Sequence, residues 1–180
     1  MAPNSTQAHR TSRARRISLL AMSKTSLYRA LPVARRVALV QHAVTNFKGT
    51  RAMYAQRLVA KGGGFRAATL VTWPAERLAK EVVRLNAETA QDELELLQLL
   101  YVDLEPDTQI AFLDAAGVAH ENGVIPESAE PPYADADTVA RAAALLQEKY
   151  GDQATHYLSV LVRYNLAAWP GLEKHVTARP

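Results

Sequence analysis

The chain has 180 residues, 48% of them hydrophobic and 22% charged, which suits one domain with a real core, or one domain with a tail. It contains no cysteine, which excludes disulfides, a thiolate nucleophile and cysteine-ligated metals or clusters, and fits a reducing compartment. The net charge of +3 hides an asymmetry: residues 1–66 hold 13 of the 21 Lys and Arg residues and none of the 18 Asp and Glu residues. A basic third precedes an acidic two-thirds, and a division that large calls for a physical reason.

Residues 1–16 are polar, small and basic, and read as a disordered tail with nothing to bury. Residues 17–64 read as a basic helical region. A loose helical pattern over 17–31 gives way at Pro32, a suitable first-turn residue, to an amphipathic helix in which Val33, Val37, Val40 and Val44 recur at helical spacing. A third helix is expected over 50–61, with Tyr54 and Leu58 on one face, and Gly62-Gly63-Gly64 ends it. The apolar run at 17–22 is too short for a signal-peptide core. No run approaches the roughly 18–20 residues of a membrane span, so no transmembrane segment is expected.

Residues 65–72 read as a linker and 73–180 as an acidic helical bundle of about five helices. Pro74 opens the first, whose face is marked by Leu78, Val82 and Leu85. The next helix, over 89–104, is the expected centre of the fold. Thr89 and Asp92 make a variant capping box at its start. Leu94, Leu96, Leu97, Leu99, Leu100, Tyr101 and Leu104 then cover more than half of its circumference, so neighbours must cover it on at least two sides. The other acidic helices suffice as that cover. Glu93 and Asp103 fall inside the apolar arc and read as structural, the first favoured by the helix dipole and the second near the break at Pro106.

Pro106 starts a helix carrying Ile110, Phe112 and Leu113, and Gly117 stops it in the left-handed manner. Residues 118–136 form a long irregular segment, a length uncommon without a purpose. Asp137 is the expected cap of the next helix, which carries Val139, Ala142, Ala143 and Leu146. After Gly151, Asp152 is expected to cap the last long helix, with Tyr157, Leu158, Leu161 and Tyr164 inward, ending near Trp169-Pro170. No stretch alternates like a strand, so the fold class is all-α.

The basic third offers Arg10, Arg13, Arg15, Arg16, Arg35, Arg36, Lys48, Arg51, Arg57 and Lys61 as groups for an anionic partner. That partner is nucleic acid phosphate or another acidic surface such as a membrane. Three other readings compete. The region resembles an organelle presequence in being Arg- and Ser-rich without acids; it is a misplaced start; or it packs on the acidic half and compensates it internally. No helix-turn-helix signature appears, and the aromatics do not interleave with the basic residues. The five histidines contain no i, i+4 pair, so no metal and no cofactor is expected. No phosphate loop or nucleophile elbow is present. His120 and Glu121, with Asp114 upstream, supply the acid–base groups for an alternative reading: a small-molecule enzyme or ligand-binding bundle with its site under the 118–136 loop. The leading expectation is a non-enzymatic helical interaction or regulatory protein whose basic region engages an anionic partner, with a protein partner or homo-oligomer as further associations. It is placed in the cytoplasm, or in an organelle matrix if the N-terminal region is a presequence.

Overall fold

A computed structural model of the protein describes residues 26–62 and 64–176. The expected tail, most of the 17–31 segment, Arg10, Arg13, Arg15, Arg16 and Gly63 lie outside the described residues. Within them the chain is all-α: α1 (Leu27–Ala30), α2 (Val33–Asn46), α3 (Thr50–Ala60), α4 (Ala67–Leu70), α5 (Ala75–Arg84), α6 (Ala90–Leu99), α7 (Pro106–Ala115), α8 (Ala136–Tyr150), α9 (Asp152–Asn165) and α10 (Glu173–Val176). None of these helices is long and apolar enough to cross a membrane.

Local chemistry sets the helix ends. The Thr89 and Asp92 capping box is present in full, with the Thr89 backbone N–H donating to Asp92 Oδ2 at 2.7 Å. Gly117, at φ +66°, takes the left-handed stop after α7, and the Val118 N–H returns to the Leu113 carbonyl at 3.0 Å. Two caps differ from expectation. Asp135 caps α8 by accepting from the Thr138 N–H at 2.8 Å, which leaves Asp137 in the first turn, where the dipole favours it. Asp152 likewise lies inside α9, and Gly151 precedes it. After Leu99 the central helix widens into a π turn over Leu100–Leu104, closed by the Glu105 N–H on the Leu100 carbonyl at 2.7 Å.

The helices form two layers joined by α6. On one side α2 packs along α5, and α3 packs on α4 and α5; on the other, α8 packs on α7 and α9, and α10 packs on α9. The central helix touches α1 and α2 and passes through its π turn to α7, while α1 also reaches α9. Leu39, Val40, Tyr54 and Leu58 from the basic third lie in the same buried cluster as Leu78, Val82, Leu97 and Leu158. The expectation that the acidic helices alone cover α6 is therefore corrected: α1 and α2 supply part of that cover. Within 65–72, Leu70 is fully buried on α4. The buried arc of α6 is also narrower than the leucine spacing suggests. Leu96, Leu97, Leu100 and Tyr101 are buried and Leu94 and Leu104 exposed, whereas Asp92 and Glu93 are buried.

Partners for the acids on and beside α6 account for part of the charge asymmetry. Glu93, 8% exposed, accepts from the Leu27 N–H at 3.0 Å, from Arg163 and the Tyr164 hydroxyl at 3.1 Å each, and from the Ser26 hydroxyl. Glu88 accepts from the Tyr28 hydroxyl at 2.8 Å, and Asp92 pairs with Arg57. Asp103 meets His42 at 3.1 Å, and Glu105 accepts from Arg35 Nε at 2.9 Å and from Gln153 at 2.8 Å. Each of these five acids, on or flanking α6, thus finds a partner in the basic third. A charge left in a low-dielectric site without such partners is costly. Burial, with the Glu88 carboxylate adding to it, pushes the Tyr28 phenol well above its ordinary range and keeps it a donor.

His156 ties the same layers together. Its Nε2 meets the Leu27 carbonyl at 2.9 Å, so that nitrogen carries the proton and Nδ1 accepts from the Tyr101 hydroxyl at 2.6 Å. Burial lowers its pKa.

Replacing Glu93 by Ala leaves several part-buried donors without their acceptor. It is expected to cost about 3–5 kcal/mol of unfolding free energy, measured by urea denaturation. For His156, the unfolded ring recovers an ordinary pKa of about 6.5 and binds protons that the folded ring refuses. Its stabilising share is therefore complete above about pH 6.5 and is lost as the pH falls from there toward the lowered folded value. Thermal melts across that range should show a smaller loss of Tm in His156→Gln than in the parent.

Candidate functional site

An open groove of about 800 Å³ lies beside α6. It follows from the way three helices meet. Gly49, at φ +86°, makes the tight turn between α2 and α3, a conformation that favours glycine. That turn sets the end of α2, with Ala43 and Phe47, on one bank and the start of α3, with Met53 and Tyr54, on the other. The floor is the face of α6 and its π turn carrying Asp92, Glu95, Leu96, Leu99, Val102 and Asp103, positions that recur with each helical turn. Phe47 is 43% exposed and Val102 41%, in a molecule that buries most of its large apolar side chains. The lining is mainly apolar with a few polar groups at its edge, the usual constitution of a binding site.

The polar edge is uneven. Lys48 stands at the α2–α3 turn, against the carboxylates of Asp92, Glu95 and Asp103. Asp92 is held by Arg57, and Asp103 by His42 at 3.1 Å. Glu95 makes no ion pair with a described residue. Beneath them Tyr54 is buried, and burial together with Asp92 and Glu88 raises its pKa, so its hydroxyl stays protonated.

The candidate anion-binding residues divide into two groups. Arg35 and Arg57 serve Glu105 and Asp92. Arg51 donates to the carbonyls of Val71 and Trp73, at 3.2 and 2.7 Å, and fastens α3 to the α4 turn. Arg36 lies over the Tyr28 ring at 5.9 Å with its Nε buried. Lys48 and Lys61 are the two described members of the set that remain exposed.

The structure brings His120 and Asp114 together, at 3.1 Å, inside a small self-contained device. Asn122 and Gly123, both at positive φ, form a two-residue turn in which Glu121 and Val124 exchange backbone hydrogen bonds of 2.9 Å. The Gly123 N–H donates to His120 Nδ1 at 3.1 Å, so His120 Nε2–H is the donor to Asp114. Glu121 contributes its backbone. Both ring nitrogens are thus engaged in holding the turn, and the later part of the loop is pinned by the Tyr133 N–H on the Ala168 carbonyl at 3.2 Å. Among the described residues no group of three or more His, Cys, Asp or Glu side chains is placed to hold a metal ion.

No protein-family model, curated protein or solved structure matches the chain. The site therefore rests on its own geometry. Phe47, Met53 and Val102 have no place in the reading of the sequence, and Leu99 enters it only as part of the apolar arc of the central helix. Leu99 and Val102, one turn apart and off the face of Leu97 and Leu100, held the available signal: an apolar pair outside the buried stripe.

The division of the cations gives a direct test. Removing Arg57 deprives a buried carboxylate of its charged donor, and Arg57→Ala is expected to cost about 1.5–3 kcal/mol. Lys48→Ala should change stability by no more than about 0.5 kcal/mol, both read from urea midpoints.

Proposed function

We propose that this is a non-enzymatic helical interaction protein that seats a helical segment of a partner in the groove formed by α2, α3 and α6. The observation that carries the reading is the exposed apolar pair Phe47 and Val102, which both line a mainly apolar cavity of about 800 Å³. An apolar surface of this kind, rimmed by polar groups, is what a partner covers. The walls supply helix faces and no sheet edge. An extended peptide would have no backbone ladder to join, whereas a helix satisfies its own N–H and C=O groups. From Asp92 to Asp103 the floor runs about 16 Å, allowing about 1.5 Å of rise per residue, which matches apolar anchors at i, i+3 or i+4 and i+7 of a docked helix.

The reading in which the basic region engages an anionic partner draws on Lys48 and Lys61 of the candidate set, beside which Arg29 and Arg66 are also exposed, because Arg35, Arg51 and Arg57 are bonded within the fold. The groove supports the interaction reading more directly than those two lysines do.

The test is a titration of isotope-labelled full-length protein with 12-residue amphipathic helical peptides that share one apolar face and carry basic, neutral or acidic polar faces. Chemical-shift changes should concentrate on Ala43, Phe47, Met53, Leu99 and Val102. Val102→Glu, at an exposed position, should weaken binding at least about tenfold, or roughly 1.4 kcal/mol, with the fold intact. If no peptide moves the groove resonances, the reading fails.

A further inference from the structure

We infer that the groove selects a basic amphipathic helix, presented by another protein, through the carboxylates at its edge. This rests on the interaction reading above and adds the chemistry of the partner. The floor helix places Asp92, Glu95 and Asp103 along the groove, and Lys48 at the α2–α3 turn is the lining cation that opposes them. Their commitments differ. Asp92 is buried and neutralised by Arg57, so it reads nothing that enters. Asp103 is exposed and meets the His42 ring. Glu95 is exposed, lies one turn from Asp92 and two turns from Val102, and has no ion pair with a described residue.

A helix whose apolar face sits on Leu99, Val102 and Phe47 brings its flanking residues over Glu95 and Asp103. Lys or Arg at those flanks finds a carboxylate; Asp or Glu there meets like charge and is rejected. Rim charges of this sort change association rate and partner choice more than they change total affinity, and salt screens them. The apolar contact supplies adhesion and the rim supplies preference.

The peptide series of the preceding section decides the matter when it is repeated on full-length variants at low and high salt. The basic peptide should bind at least about tenfold tighter than the acidic one at low ionic strength, with the gap narrowing in 1 M salt. The variant Glu95→Lys, at the rim carboxylate that makes no ion pair with a described residue, should reverse the order, while its affinity for the neutral peptide stays within about threefold. Equal binding of all three peptides, or an order that survives the reversal, overturns the inference while leaving the groove as an interaction site. Absence of binding by every peptide overturns both. Two other occupants are distinguished in the same material. If the basic peptide binds only after Leu19→Asp and Leu20→Asp are introduced, the occupant is this chain's own residues 1–25 and the inference falls. A dimer in sedimentation velocity that Val102→Glu dissolves makes a second copy the occupant, with the same consequence.

Discussion

The structure depends on providing partners for the acids that line its central helix. Glu88, Asp92 and Glu93 are all buried at the start of α6, and Asp103 and Glu105 follow at its far end. A helix carrying that much negative charge into a protein interior is stable only where cations and hydrogen-bond donors come with it. They come from the basic third: Leu27 N–H, Tyr28, Arg35, His42 and Arg57. Arg163 and Tyr164 of α9 complete the set at Glu93, so both layers of helices converge on one carboxylate. Apolar burial supplies most of the driving force for such a fold, but it has no preferred register. The acid–donor pairs provide one, because sliding α2 by a turn separates Arg35 from Glu105 and His42 from Asp103 together.

Much of the local architecture is legible in the sequence because it rests on contacts three or four residues apart. The capping box at Thr89 and the left-handed stop at Gly117 are of this kind and the structure contains both, whereas the valine stripe of α2 holds only in its second half, where Val40 and Val44 are buried with Leu39 and Ala43 and Val33 is exposed. The Asn122-Gly123 turn was legible by the same logic, since that dipeptide is a strong signal for a two-residue reversal. What the sequence shows less clearly is which neighbour covers which face. The leucines of 94–104 mark a wide arc, yet Leu94 and Leu104 are exposed and Glu93 is buried. Hydrophobicity ranks residues singly. The burial of Glu93 depends on a serine, a backbone amide, an arginine and a tyrosine that lie 66 to 71 positions away.

The charge break is the clearest example of a pattern that is visible in one dimension and misleading about the third. A chain that is basic and then acidic invites a division into two units at the sign change. In the fold, α5 from the acidic side packs along α2 from the basic side, and Arg35, His42 and Arg57 of α2 and α3 meet Glu105, Asp103 and Asp92 on or beside the central helix. Composition therefore carries information about complementarity within the molecule as much as about external partners. Individual arginines can be assigned to one role or the other only once their partners are known, as Arg57 and Lys48 demonstrate.

The same bonding pattern accounts for the groove. Arg51 draws α3 toward α4 by its hydrogen bonds to Val71 and Trp73, and α3 packs on α4 and α5. Along its length α2 is drawn toward the π turn and Glu105 by His42 and Arg35. The two helices are joined at Gly49 but committed to different neighbours, and α3 reaches α6 through the Arg57–Asp92 pair. The face of α6 between them, with Leu99 and Val102, is left without a helix of the described chain to cover it. The π turn contributes as well, since its extra residue turns Val102 and Asp103 onto the groove side while Tyr101 stays buried against Tyr157 at a ring distance of 4.7 Å. The opening is thus a consequence of how the structural charges are satisfied, and only the few charges left over at its edge are available to discriminate among ligands.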